Sequence, residues 1–152
     1  NREGIKGSLS DAMEGADIFI GVSKPGIVSK EMIKSMAENS IVFPMANPVP
    51  EIMPELALEA GAAVVGTGRS DFPNQVNNVL VFPGFFKGLL RVRAVKVVDS
   101  MKMRAAMAIA GIIDEKELKN TYVLPEVFDE RVAGAVANAV AEEAVRLGIN
   151  RK

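Results

Sequence analysis

DIFIGVSKPG (residues 17–26), IVFPMANPVP (41–50) and AAVVG (62–66) decide how this chain folds. Asp17-Ile18-Phe19-Ile20-Gly21-Val22 is apolar without alternation, as expected of a strand covered on both faces. Ser29 sits where an N-cap belongs, and Met32, Ile33 and Met36 mark one face of a helix behind it. Ile41-Val42-Phe43-Pro44-Met45 reads as a second buried strand. Pro50 to Ala60 reads as a helix, with Ile52, Leu56 and Ala60 at intervals of four and Gly61 as its stop. Ala62 to Gly66 completes the series as a third strand. Strand, helix, strand, helix, strand implies right-handed crossovers onto a parallel sheet, an α/β fold.

Beyond Gly66 the pattern changes. Thr67 to Gln75 is polar and turn-like, and from Val76 the chain reads as helical except over Asn120 to Phe128. Asp99 to Ile113 is rich in Ala and Met. Asp129 to Leu147 places Val132, Val136, Val140, Ala144 and Leu147 on one face and stops at Gly148. Three parallel strands are few, since doubly wound sheets commonly have five or six. No G-x-G-x-x-G follows the first strand: Gly4, Gly7, Gly15, Gly21 and Gly26 do not fall at that spacing. The chain therefore reads as the second half of a Rossmann-like, dinucleotide-binding sheet closed by C-terminal helices. It lacks an initiator Met, which fits a processed chain or a piece of a longer one.

Composition narrows the chemistry. The 152 residues are 49% apolar and 24% charged, enough for one globular core and too hydrophobic for intrinsic disorder. Lys plus Arg number 18 against 19 Asp plus Glu, a balance that offers no field for nucleic acid. No apolar run reaches the roughly eighteen residues of a membrane span, because Val79 to Leu90 is interrupted by Pro83, Gly84 and Lys87. No secretory leader is visible in the polar stretch Asn1 to Ser10. Cysteine is absent, which suits a cytoplasmic setting, and histidine is absent too. Triad hydrolysis and thiol catalysis are thereby excluded from this chain.

Ligands of open α/β sheets bind beyond the carboxyl ends of the strands, so three loops become the candidates. In Gly21-Val22-Ser23-Lys24-Pro25-Gly26, glycine lets the backbone approach a flat ligand and Ser23 offers a hydroxyl; a simple strand-to-helix turn would use the same residues. In Ala46-Asn47-Pro48-Val49-Pro50, Pro48 favours an extended Asn47, whose amide would stand at the strand tip; the alternative is an Asn that bonds its own turn. The third loop, Gly68 to Asn78, concentrates Asn74, Asn77, Asn78, Gln75, Arg69 and Asp71. Its amides at a helix start suit a small anion, although one of Asn77 and Asn78 could simply cap that helix. Tyr122 and the methionines read as packing. Asp11, Glu14 and Asp17 read as caps and solvated face rather than a metal cluster.

Phe43-Pro44-Met45-Ala46-Asn47-Pro48-Val49-Pro50-Glu51-Ile52 and Thr67-Gly68-Arg69-Ser70-Asp71-Phe72-Pro73-Asn74-Gln75-Val76-Asn77-Asn78-Val79-Leu80-Val81-Phe82-Pro83-Gly84 resemble the malic enzymes, nearest to their short bacterial and archaeal type. The likeness continues through Ile18 to Ser23 and Pro125 to Val132, and so spans essentially the whole chain. It implies oxidative decarboxylation of L-malate to pyruvate and CO2, with NAD or NADP reduced and Mg or Mn required. In that chemistry hydride leaves C2 of malate for the nicotinamide, and the metal polarises the carbonyl of the resulting oxaloacetate. Carried over by motif, Gly21, Val22 and Ser23 would line the dinucleotide, Asn47 would lie between cofactor and substrate, and Asn77 with Asn78 would hold a malate carboxylate.

The same resemblance places the catalytic Tyr and Lys, the acidic metal ligands and the glycine fingerprint upstream of Asn1. On that basis residues 1–152 are the C-terminal part of an NAD(P)-binding domain, with no catalytic group or metal ligand of their own, and inactive alone. The family's usual dimers or tetramers imply a homo-oligomer. The choice between NAD and NADP lies on a strand outside this chain. A non-catalytic dinucleotide-binding or assembly module of the same fold is the alternative. The Asn77-Asn78 pair speaks against it, because a mere nucleotide binder has no use for a carboxylate clamp.

Overall fold

A computed structural model describes residues 4 and 6–151. The chain divides into two units, one ending at Val76 and one beginning at Asn77. In the first unit, α1 (Leu9–Met13), β1 (Ile18–Gly21), α2 (Lys30–Lys34), β2 (Ile41–Pro44), α3 (Pro54–Glu59) and β3 (Val64–Val65) follow one another. The three strands form one parallel sheet in the order β1-β2-β3, the arrangement expected from the alternation of strands and helices.

Register explains which side chains make the core. Phe19 lies opposite Val42, and Val42 opposite Val65, so these three share a face. Met13 of α1, Ile33 of α2 and Ala57 of α3 pack on that face with Val42 and Val65, all buried. The opposite face is not covered as the unbroken apolar runs suggested. Ile18 and Ile20 remain 54% and 61% exposed, because the helices of this unit gather on the Phe19–Val42–Val65 side.

Local chemistry sets the helix bounds. The Ser8 hydroxyl accepts from the Asp11 N–H, while the Asp11 carboxylate accepts from the Ser8 N–H at 2.6 Å, a reciprocal cap that starts α1. Asp11 is thus the capping acid expected of it, and its pKa is lowered by those bonds to Ser8. Ser29 caps α2 through the Met32 N–H. The helix expected from Pro50 is confined to Pro54–Glu59. Proline supplies no N–H and disfavours helical geometry just before it, so Pro54 can only open the helix. The expected face fails with it: Ile52 is buried outside the helix, and Leu56 is 40% exposed.

In the second unit a single 3₁₀ turn (Asn78–Leu80) leads into α4 (Phe82–Arg91), α5 (Asp99–Ala110) and α6 (Glu130–Arg146). Helix is less continuous than the sequence suggested, since residues 92–98 and 111–119 also leave it. Val132, Val136, Val140 and Ala144 of α6 are buried against Phe85 of α4 and Met101, Ala105 and Ile109 of α5. Burial of each valine contributes about 1.5–3 kcal/mol. Leu147, placed on the same face by spacing, is 39% exposed because α6 has ended before it. Close approach of α4 and α6 depends on Gly84 and Gly88, where a Cβ would stand 2.7 and 2.6 Å from backbone oxygens of α6. Tyr122 is half-buried and pairs with Lys119 through the main chain, consistent with packing.

Candidate functional site at the strand ends

β1 and β2 end side by side: Gly21 lies opposite Pro44, and the Met45 N–H donates to the Gly21 carbonyl at 2.9 Å. The loops that leave these ends therefore start from adjacent positions. Val22 is 77% exposed, and Ser23 and Asn47 are exposed as well. The Asn47–Pro48 peptide bond is cis. Of the residues proposed from sequence, Gly21, Val22, Ser23 and Asn47 thus belong to one pair of neighbouring strand ends.

Between the loops lies a residue that sequence reasoning missed. Glu51 is fully buried. One carboxylate oxygen accepts the Ser23 N–H at 2.7 Å, and the other accepts the Ala46 N–H at 3.0 Å. Its main-chain carbonyl takes the Val28 N–H at 3.1 Å, while the carbonyl of Pro50 takes the Gly26 N–H at 3.2 Å. A Cβ on Gly21 would stand 2.5 Å from the Glu51 carboxylate carbon. Gly21 is therefore glycine because Glu51 occupies the space beside it, not to let a flat ligand approach. Because the Ser23 N–H is taken, the hydroxyl is what Ser23 can offer a ligand. The available signal was a lone acid inside the apolar turn Pro50-Glu51-Ile52.

The third loop is stitched to β3 by its own polar groups. Asn74 is buried with φ 55°, and its amide donates to the Val65 carbonyl at 3.0 Å. The Val76 N–H donates to Thr67 at 2.9 Å. Arg69 holds Asp71 with two bonds of 2.8 and 2.6 Å and lies 5.2 Å over the Phe72 ring, so those charges serve one another. That pairing lowers the Asp71 pKa. Three of the polar residues in the cluster therefore have structural roles.

At the start of the second unit the capping question is resolved. The Asn77 side-chain oxygen accepts the Val79 N–H at 3.0 Å and caps the 3₁₀ turn. Asn78 is the first residue of the turn and is exposed; among the described residues its side chain forms no hydrogen bond. The Asn78 amide is thus unengaged, and Asn77 is committed to the turn.

No group of three or more acidic residues that could hold a metal ion occurs among the described residues. No helix among them is long and apolar enough to cross a membrane.

Parallel strands with exposed loops at adjacent carboxyl ends define an α/β domain of the dinucleotide-binding class. The particular family follows from comparison. The chain matches the family described as malic enzyme, NAD binding domain, over residues 7–145, and it belongs to that family. It is 58% identical over 99% of its length to the bifunctional malic/malolactic enzyme of Bacillus subtilis (strain 168), of which it covers 37%. It is 55% identical over 100% of its length to the NAD-dependent malic enzyme of Geobacillus stearothermophilus, of which it covers 32%. The crystal structure of a malic enzyme from Pyrococcus horikoshii Ot3 superposes with a TM-score of 0.94 at 47% identity, over 99% of this chain and 35% of that one. The chain thus spans about a third of the length of these three proteins.

Proposed function

We propose that this chain supplies dinucleotide and substrate contacts to an NAD(P)-dependent malic enzyme, which oxidatively decarboxylates L-malate to pyruvate and CO2. The supporting observation is the pair of neighbouring strand ends that carry Ser23 and Asn47 on exposed loops, held by a buried carboxylate. Bound there, NAD or NADP would supply the hydride acceptor. Val22 and the Ser23 hydroxyl would contact the dinucleotide, and Gly21 keeps the strand end narrow. The Asn47 amide would orient the nicotinamide side and the substrate, and the Asn78 amide would donate to a malate carboxylate. Neutral amides donate hydrogen bonds to a carboxylate without offering it a proton or a second charge.

The catalytic acid and base and the Mg or Mn ligands belong, on this reading, to the part of the enzyme outside residues 1–152. A homo-oligomer in the cytoplasm completes the proposal.

The test is kinetic. The complete protein that carries this chain, supplied with Mg or Mn, should form NAD(P)H when L-malate is added, and residues 1–152 alone should not. Within the complete protein, Asn47→Ala should raise the KM of both dinucleotide and malate, a loss of about 1–3 kcal/mol in kcat/KM for one buried hydrogen bond. Turnover by the purified chain alone, or an Asn47→Ala profile unchanged for both ligands, contradicts the assignment.

A further inference from the structure

We propose that Glu51 is a positioning residue: its buried carboxylate sets the conformation of the two strand-end loops so that they receive the dinucleotide. This rests on the functional reading above and adds a residue to it.

Three observations carry the inference. The first is chemical. Glu51 is buried completely, and each of its oxygens accepts a backbone N–H, one from Ser23 after β1 and one from Ala46 after β2. A buried carboxylate is costly to desolvate, and only acceptance of several hydrogen bonds compensates. Glutamine has the same size but a single acceptor, so its NH2 group would face one of the two N–H donors. An acceptor on both branches is required, and a carboxylate at this length provides it.

The second is connectivity. The same two-residue segment also accepts Gly26 and Val28 N–H groups through the Pro50 and Glu51 carbonyls. The loop from Gly21 to Val28 is therefore tied to residues 50–51 at three of its N–H groups, Ser23, Gly26 and Val28. Ala46, tied to the same carboxylate, immediately precedes Asn47. One side chain thereby sets the spacing between the loop proposed to line the dinucleotide and the loop proposed to face the nicotinamide.

The third is steric. Gly21 leaves room for the carboxylate at a distance of 2.5 Å from where a Cβ would be, and any larger residue would displace it. Gly21 and Glu51 act as a unit. Among the described residues, no other buried acid joins two strand-end loops: Glu143, the other buried acid, lies on α6 and bonds Arg146.

The experiment uses the complete protein with Glu51→Gln and, separately, Gly21→Ala. Dinucleotide dissociation constants are measured by NAD(P)H fluorescence, well below each variant's melting temperature, and the malate KM is measured beside them. Both variants should bind dinucleotide about tenfold more weakly, equivalent to about 1.4 kcal/mol. The malate KM should rise as well, because the tied Ala46 immediately precedes Asn47, which is proposed to face the substrate too. A purely structural role would lower the melting temperature and leave the dissociation constant of the folded variant where it was, and that result overturns the proposal. If neither variant folds, amide exchange in the dinucleotide-free wild type decides: slow exchange at both Ser23 and Ala46 supports the clamp, and fast exchange at either overturns it. Failure of the wild type to bind any dinucleotide would instead refute the functional reading, so the two failures are distinguishable.

Discussion

Gly84→Ala should destabilise the second unit, although the same substitution at most helical positions stabilises. In an open helix, alanine gains about 1 kcal/mol over glycine. At Gly84 a Cβ would lie 2.7 Å from the Ala133 carbonyl oxygen and 2.7 Å from the Val136 Cβ, about 0.7 Å short of ordinary contact at 3.4 Å. One neighbour is backbone and the other is a β-branched stem, so neither can turn aside. α4 and α6 must separate, at a cost of roughly 1–3 kcal/mol. The net expectation is a loss of up to about 2 kcal/mol once the propensity gain is set against it. Gly134 on α6 provides the control, since nothing lies within 4 Å of its Cβ position. Gly134→Ala should gain about 0.5–1 kcal/mol. Equilibrium urea unfolding followed by circular dichroism at the helix band would compare the two. If Gly84→Ala is at least as stable as the wild type, the close packing of α4 on α6 is refuted.

Three further expectations follow from named contacts. Asn77→Ala should cost about 0.5–2 kcal/mol through loss of the cap while Asn77→Asp retains it, and equal stability of all three forms would refute the cap. Asn78→Asp should keep the melting temperature and lose malate oxidation more severely than Asn78→Ala, because an ionised acceptor replaces the donor proposed to face a carboxylate; better tolerance of Asp than Ala would place the substrate elsewhere. The Arg146 guanidinium, with help from Ser100, holds the Glu143 carboxyl down at about 2 against an ordinary 4.5. A depressed folded-state pKa stabilises fully above about pH 4.5, and that contribution fades as pH falls toward 2. Glu143→Gln should therefore narrow the stability difference between pH 6 and about pH 3 in urea unfolding, and an unchanged difference would refute the coupling.

How much of this could be read from sequence depends on the physical range of the interaction. β1 and β2 are legible because apolar runs bounded by Gly and Pro leave few other conformations. β3 is reduced to Val64–Val65 because only those residues find partners, Ile41 and Val42, on β2. The α3 start is not legible from the interval of four, because Pro54, with no N–H to give, can only open the helix. The open Ile18–Ile20 face was illegible for a different reason: an apolar run shows that a strand can be buried, not which elements cover it. In the third loop, the amide cluster was visible but its division was not. Asn74 bonds β3, Asn77 caps its own turn, and Asn78 remains exposed, a sorting fixed by backbone angles. Glu51 escaped notice because its partners are the backbone N–H groups of residues 23 and 46, which carry no signature in residue type.

The central claim is that the two loops tied by Glu51 receive the dinucleotide, and a crystal structure of the complete protein with NAD(P) bound tests it most directly. The expected result places the nicotinamide end of the dinucleotide against Val22, the Ser23 hydroxyl and the Asn47 amide, with the Ser23 and Ala46 N–H groups still on the Glu51 carboxylate. A dinucleotide bound away from both loops, or one that draws the Ser23 N–H off Glu51 to itself, would contradict the account.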